Sequence, residues 1–433
     1  MAAGYPGSTN RYRTSSEIKH QFTWYYPNAR QYREDLIAKI EEAAPADSQA
    51  RLNYEGSIAS LANYAKNFQS MEESYSRSDF LERRQKTENE FQSWLEADAQ
   101  RNSRFGSAVG ELNALIEKDN QTAERDLWRS YFRYATLPDV AIDLYRLALE
   151  KQKPDTAREL GFQERDMTRF SQWLQRISRS YDETVDKAIL KYLLTRHTEL
   201  KVGDRIAGID QAFDLDGVFV NPKALPLTPN IKESIDKKIR KLYKKTSLDN
   251  EAVRLAWMDK SVEEFQKSKD PLIQLAVNIT DELMALEKSD KALGGEFNAY
   301  RPKYMEAFVA YSRSLGKPIY ADANSSLRIT YGQVKGNEPK DGLKNLPFTT
   351  LEGILEKDTG AEPFDAPTEQ LQLIRERYYG KYFSRDVSSV PVNFLTTLDI
   401  TGGNSGSATL NAKGQLVGLL FDGVYESIIG DWD

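Results

Sequence analysis

The chain has no cysteine and only two histidines among its 433 residues. Without cysteine there are no disulfides, no thiolate metal ligands and no cysteine nucleophile. Any imidazole chemistry must rest on His20 or His197. Both sit in polar, helix-like text, Ile18-Lys19-His20-Gln21 and Thr195-Arg196-His197-Thr198, and both are expected to be solvated helix residues rather than bases. No stretch approaches the roughly 20 apolar residues of a membrane span. The N-terminus also lacks the charged, apolar and small-residue order of a signal peptide, so no membrane partner is expected. Long basic runs are missing too, and a formal net charge of -6 argues against an electrostatic nucleic-acid binder. Lys237, Lys238, Arg240, Lys241, Lys244 and Lys245 make one basic helix face, but Glu233 and Asp236 share that helix. It reads as a solvated face.

What the chain does have is length and pattern. At 40% hydrophobic and 29% charged it is large enough for two or more cores. Leu272, Leu275, Ala276, Ile279, Leu283 and Leu286 recur at three and four residue spacing, as do Ile231, Ile235, Ile239 and Leu242, which predicts helices with one buried face. Trp128, Tyr131 and Phe132 share a face in the same way and are expected to pack between helices. Pro222, Pro226 and Pro229 mark a loop. From Pro318 onward Leu327, Ile329 and Tyr331 alternate with Arg328 and Thr330, a strand period. The boundary is placed between Gly316 and Tyr320. Asp210, Asp214, Asp216 and Gly217 faintly suggest a calcium loop, yet Leu225 stands where a bidentate Glu is needed, so no metal is expected.

The stretch that carries chemistry is Thr401-Gly402-Gly403-Asn404-Ser405-Gly406-Ser407. A nucleophilic serine needs an exposed hydroxyl on a tight turn, with backbone N–H groups aimed at the oxygen that becomes negative, and glycines permit that geometry. Ser405 is the candidate nucleophile, and the N–H groups of Gly403 and Ser405 are the candidate oxyanion donors. Pro391 to Thr397 is β-prone before the turn. Asn411-Ala412-Lys413-Gly414 is a turn tetrad after it, followed by Leu416, Val417, Leu419, Leu420 and Phe421. Strand, nucleophile turn, strand, hairpin, strand is the order of a chymotrypsin-like barrel. A Gly-x-Ser-x-Gly elbow running into a helix does not fit, nor does a phosphate loop, which needs a lysine and a helix after its glycines. The plain alternative is a structural glycine-rich hairpin.

This segment, with Phe421-Asp422-Gly423 and Gly430-Asp431-Trp432, resembles the bacterial dipeptidyl-peptidase family that includes dipeptidyl-peptidases 7 and 11, serine peptidase family 46. Gly4-Tyr5-Pro6-Gly7-Ser8-Thr9-Asn10-Arg11-Tyr12, Asn63-Tyr64-Ala65-Lys66-Asn67, Asp322 to Gly332 and Thr349-Thr350-Leu351-Glu352-Gly353 agree, in the family's order. Ala408 departs from it, because many relatives have proline there.

The resemblance implies an α+β fold: a chymotrypsin-like β-barrel carrying a large inserted α-helical domain. Residues 1–15 would end the N-terminal barrel, 16–317 form the helical lid, and 318–433 form an incomplete C-terminal barrel. Relatives carry their catalytic histidine and aspartate upstream of the Gly-Tyr-Pro-Gly text, which here begins at Gly4. The chain is therefore expected to be an internal fragment, inactive alone, of a serine exopeptidase that releases dipeptides from free N-termini. No cofactor is implied. Periplasmic location and a homodimer of the full-length enzyme are implied. By the same resemblance Asp422, with Asn67 or Asn63, would hold the substrate's α-amino group. Gly423 would shape the pocket for the second side chain; acid-selective relatives have arginine there, so a hydrophobic preference is expected. The runner-up reading is a non-catalytic helical interaction protein, and a third is a serine hydrolase with a lysine base.

Overall fold

A computed structural model describes residues 1–216, 218 and 228–433. The chain divides into two compact units, one of residues 1–13 with 320–433 and the other of residues 14–319.

The second unit is helical. Its main helices are α1 (Tyr26–Ala43), α2 (Gln49–Ser76), α3 (Ala123–Phe132), α4 (Thr136–Lys151), α5 (Met167–Ser180), α6 (Glu183–Glu199), α7 (Pro229–Lys245) and α8 (Pro271–Ser314). Their starts are marked in the sequence. The Ser48 hydroxyl accepts from Arg51 N–H ahead of α2. Asp270 accepts from Leu272 N–H ahead of α8, which opens on Pro271, so orphan donors of the first turn are satisfied. The apolar periods do what they predict. Leu272, Leu275, Ala276 and Ile279 are buried on α8, Ile235, Ile239 and Leu242 on α7, and Trp128, Tyr131 and Phe132 on α3. Each buried Leu, Ile or Phe among them contributes roughly 1.5 to 3 kcal/mol. The indole N–H of Trp128 donates to Leu193 O at 2.8 Å, which fastens α3 to α6.

His197 overturns its sequence reading. It lies on α6 with no solvent exposure, beside Trp128 at 4.8 Å between ring centroids, and its Nε2 accepts from Ile206 N–H at 2.9 Å. Burial, and then the nearby charge of Arg205, lower its pKa to about 3. The polar neighbours misled because α6 is packed by α1, α3 and α7 on several sides. His20 is half-buried and stacked on Trp24, and burial lowers its pKa. The basic face of α7 is solvent-facing: Lys237, Arg240, Lys241, Lys244 and Lys245 are exposed. Pro229 opens α7, while Pro222 and Pro226 lie outside the described residues.

The first unit is built from short strands: β1 (Ala2–Gly4), β2 (Arg328–Thr330), β3 (Asn337–Lys340), β4 (Leu343–Asn345), β5 (Phe348–Thr350), β6 (Pro391–Phe394), β7 (Ala408–Leu410) and β8 (Leu416–Leu419). An antiparallel sheet runs in the order β2-β1-β7-β8, with Ala3 opposite Ile329 and Ala408 opposite Leu419; β3-β4 and β5-β6 form two-stranded sheets. The N-terminal strand therefore sits at the centre of a sheet whose other strands come some 330 to 420 residues later. Ile329 is 54% exposed and Leu419 63%. Both lie on the edge strands β2 and β8 with their side chains exposed.

Candidate active site

The turn before β7 is held by its own backbone. Asn404 N–H donates to Thr401 O at 3.1 Å, and Ser407 N–H donates to Asn404 O at 2.9 Å. The Asn404 side chain is buried, and its Oδ1 accepts from Thr401 N–H at 3.2 Å. Two bonds tie the turn to the segment after β8: Gly406 N–H to Leu420 O at 2.7 Å and Leu420 N–H to Ser407 O at 2.9 Å. Gly403 at φ +99° and Gly406 at φ +83° occupy conformations that side chains resist. Ser405 lies between them, exposed, its Oγ donating to Phe421 O at 3.4 Å.

The N-terminal segment backs this turn at backbone contact. Gly7 N–H donates to Gly402 O at 2.7 Å, and a Cβ on Gly403 would come within 2.5 Å of Tyr5 O. A Cβ on Gly4 would come within 2.1 Å of Ser407 Oγ. Arg11 adds a second brace. Its guanidinium forks onto both carboxylate oxygens of Asp399, at 2.7 and 2.6 Å, and its Nε donates to Gly430 O at 2.9 Å. Such bidentate pairs fix geometry as well as charge. Asp399 leads directly into the turn, so Arg11 locks its entry. Sequence reasoning noticed the Gly4–Arg11 text only as a resemblance; its part as the turn's support is structural.

The turn thus presents one hydroxyl and two free donors. Neither Gly403 N–H nor Ser405 N–H donates to a protein acceptor among the described residues, and both residues are exposed. Asp422, next to Phe421, is exposed, and its Oδ1 accepts from Gly423 N–H at 2.8 Å. The space beside Gly423 is open except for Ser427 Oγ, 3.2 Å from where a Cβ would stand.

Four predicted site residues, Gly403, Ser405, Asp422 and Gly423, are therefore neighbours in one unit. Asn63 and Asn67 belong to the helical unit, one turn apart on α2, with Asn63 exposed and Asn67 half-buried. Both histidines also belong to the helical unit, and the Nε2 of His197 is already occupied. Among the described residues no group of His, Asp and Glu side chains is arranged to hold a metal. Of the faint calcium loop, Asp210 is bonded to Arg205 and Asp214 pairs with Lys238 at 2.6 Å. Gly217 and Leu225 lie outside the described residues.

The comparisons agree with one another. A curated Asp/Glu-specific dipeptidyl-peptidase from Shewanella putrefaciens is 38% identical, over 100% of this chain and 59% of its own length. Dipeptidyl-peptidase 7 of Phocaeicola vulgatus is 30% identical over 100% of this chain and 57% of its own. The crystal structure of Porphyromonas endodontalis DPP11 in complex with the dipeptide Arg-Glu superposes with a TM-score of 0.75 at 23% identity, covering 100% of this chain and 59% of that one; this shows a shared α+β fold. The chain spans a little under 60% of the length of the curated relatives it matches. The pattern of the peptidase S46 family matches residues 1–433 without a break, and the chain belongs to that family.

Proposed function

We propose that the protein carrying this chain is a serine dipeptidyl-peptidase with Ser405 as nucleophile. The observation that carries this reading is the exposed Ser405 hydroxyl beside two unoccupied N–H groups on a turn whose Gly403 and Gly406 both have positive φ. Ser405 Oγ attacks the scissile carbonyl, forming a C–O bond. The carbonyl oxygen, now negative, accepts from the N–H groups of Gly403 and Ser405, and collapse expels the amine and leaves a dipeptidyl ester that water hydrolyses. The proton of Ser405 must go to a base, and the unit that holds Ser405 contains no histidine. This supports the expectation that the chain alone turns over little. The succession of turn, β7, hairpin and β8 supports a chymotrypsin-like second barrel.

Asp422 binds the α-ammonium of a peptide with a free N-terminus, its carboxylate answering the ammonium's donors. Location in the periplasm and assembly as a homodimer belong to the same proposal. Gly423 leaves the pocket for the second residue without charge, which favours a hydrophobic side chain there. A second reading has its own support: the Shewanella relative at 38% identity is named Asp/Glu-specific. A panel of dipeptidyl reporters on the full-length protein decides between them. Faster cleavage after Leu, Met or Phe supports the uncharged pocket, and faster cleavage after Asp or Glu replaces it with the second reading.

A further inference from the structure

The helical unit contains a cleft of about 470 Å³ that the chemistry above does not use. Arg176 and Arg179 reach it from the last two turns of α5, and Arg133 reaches it from the end of α3. Neither Arg176 nor Arg179 forms an ion pair with a described residue. Ser180 contributes a hydroxyl and Trp173 an apolar wall, while the side chain of Thr136 is bonded to Asp186.

The one carboxyl in the lining is Asp139, and its ion pair is with Arg133, which leaves Arg176 and Arg179 without a carboxylate partner among the described residues. Asp139 is only 8% exposed, and burial, followed by the charge of Asp143 one turn along α4, favours its protonated form. Arg133 is shared between the two carboxyls, its Nε 3.3 Å from Asp139 Oδ1 and its Nη2 2.8 Å from Asp143 Oδ2. The cleft is therefore a positive recess with an aromatic side. Guanidinium forks suit tetrahedral and planar oxyanions, and an indole suits a ring carried by such a group. The volume exceeds what a bare phosphate fills.

We propose that this cleft binds a small phosphate ester, with Arg133, Arg176 and Arg179 donating to the phosphate and Trp173 packing against its organic part.

Calorimetry of the 433-residue chain with phenyl phosphate and with inorganic pyrophosphate, at fixed ionic strength, tests this. Saturable binding of both is expected, weakened about tenfold or more in Arg176→Gln/Arg179→Gln. These side chains are exposed, so the melting temperature should hold. Trp173→Leu should weaken phenyl phosphate more than pyrophosphate. Arg240→Gln/Lys244→Gln, on the basic face of α7, should change neither. No saturable binding at about 10 mM ligand, or an equal loss in the α7 control, overturns the proposal.

Discussion

Ser405 Oγ donates to the carbonyl oxygen of Phe421 at 3.4 Å, so the hydroxyl that would attack a peptide rests on backbone and not on a base. The same contact puts Ser405 one residue from Asp422. Nucleophile and proposed ammonium ligand are thus set by one turn and the segment after one strand, and the two or so residues between a free N-terminus and the cut become a property of that short path.

The turn is expected to tolerate no side chain at Gly403. An alanine there would hold a non-glycine residue at φ +99° with its Cβ 2.5 Å from Tyr5 O. Strain of about 1 to 3 kcal/mol follows, and the two free donors would shift off their target. Gly403→Ala should lower the melting temperature of the chain by several degrees, and in the full-length protein it should reduce kcat by about a hundredfold or more. Wild-type stability and rate in this variant would count against the geometry.

Much of this was legible in the sequence, for physical reasons. Glycines on either side of a serine, and apolar residues at helical spacing, are local signals, and the turn and the helices of the second unit follow them. What failed was non-local. His197 looks solvated because its neighbours in sequence are polar, whereas its burial comes from Trp128, some 70 residues away, and from the Ile206 N–H that occupies its Nε2. The pairing of β1 with β7 joins Ala2 to Thr409. The cleft of Arg133, Arg176 and Arg179 is assembled from three helices whose charges look like ordinary surface in sequence. The strand period of Leu327, Ile329 and Tyr331 is real, yet its apolar side faces solvent, which a period alone does not reveal.

His197 makes the helical unit acid-sensitive. Its folded pKa is lowered from 6.5 to about 3, so between those values the unfolded chain binds more protons. Stability is then full above about 6.5 and falls as pH drops toward 3, by up to about 5 kcal/mol. Asp186 acts in the opposite direction. Burial raises it to about 6, so its contribution is largest below the ordinary carboxylate range and is lost as pH rises through 6. The difference between wild type and His197→Gln isolates the histidine. In denaturant melts from pH 4 to 8 the wild-type stability should fall relative to that of the variant as pH drops, and parallel curves would refute the assignment.

Gly423→Arg provides a gain-of-function test of the pocket. The neighbouring space is open apart from Ser427 Oγ, so the longer side chain has room, and its guanidinium would pair with a substrate carboxylate. In the full-length protein the ratio of kcat/KM for a Glu reporter to that for a Leu reporter should rise by about tenfold or more. An unchanged ratio would remove Gly423 from the pocket.

Turnover of a free-N-terminal dipeptidyl reporter by the full-length protein and by its Ser405→Ala variant is the most direct test. Loss of a nucleophile that works with a base costs several powers of ten, leaving only what binding and the oxyanion donors supply. The account predicts that Ser405→Ala lowers kcat by about a thousandfold or more, with little change in melting temperature. A variant that keeps its rate within about tenfold of wild type would contradict it, and Ser405 would then be no more than part of a glycine-rich hairpin.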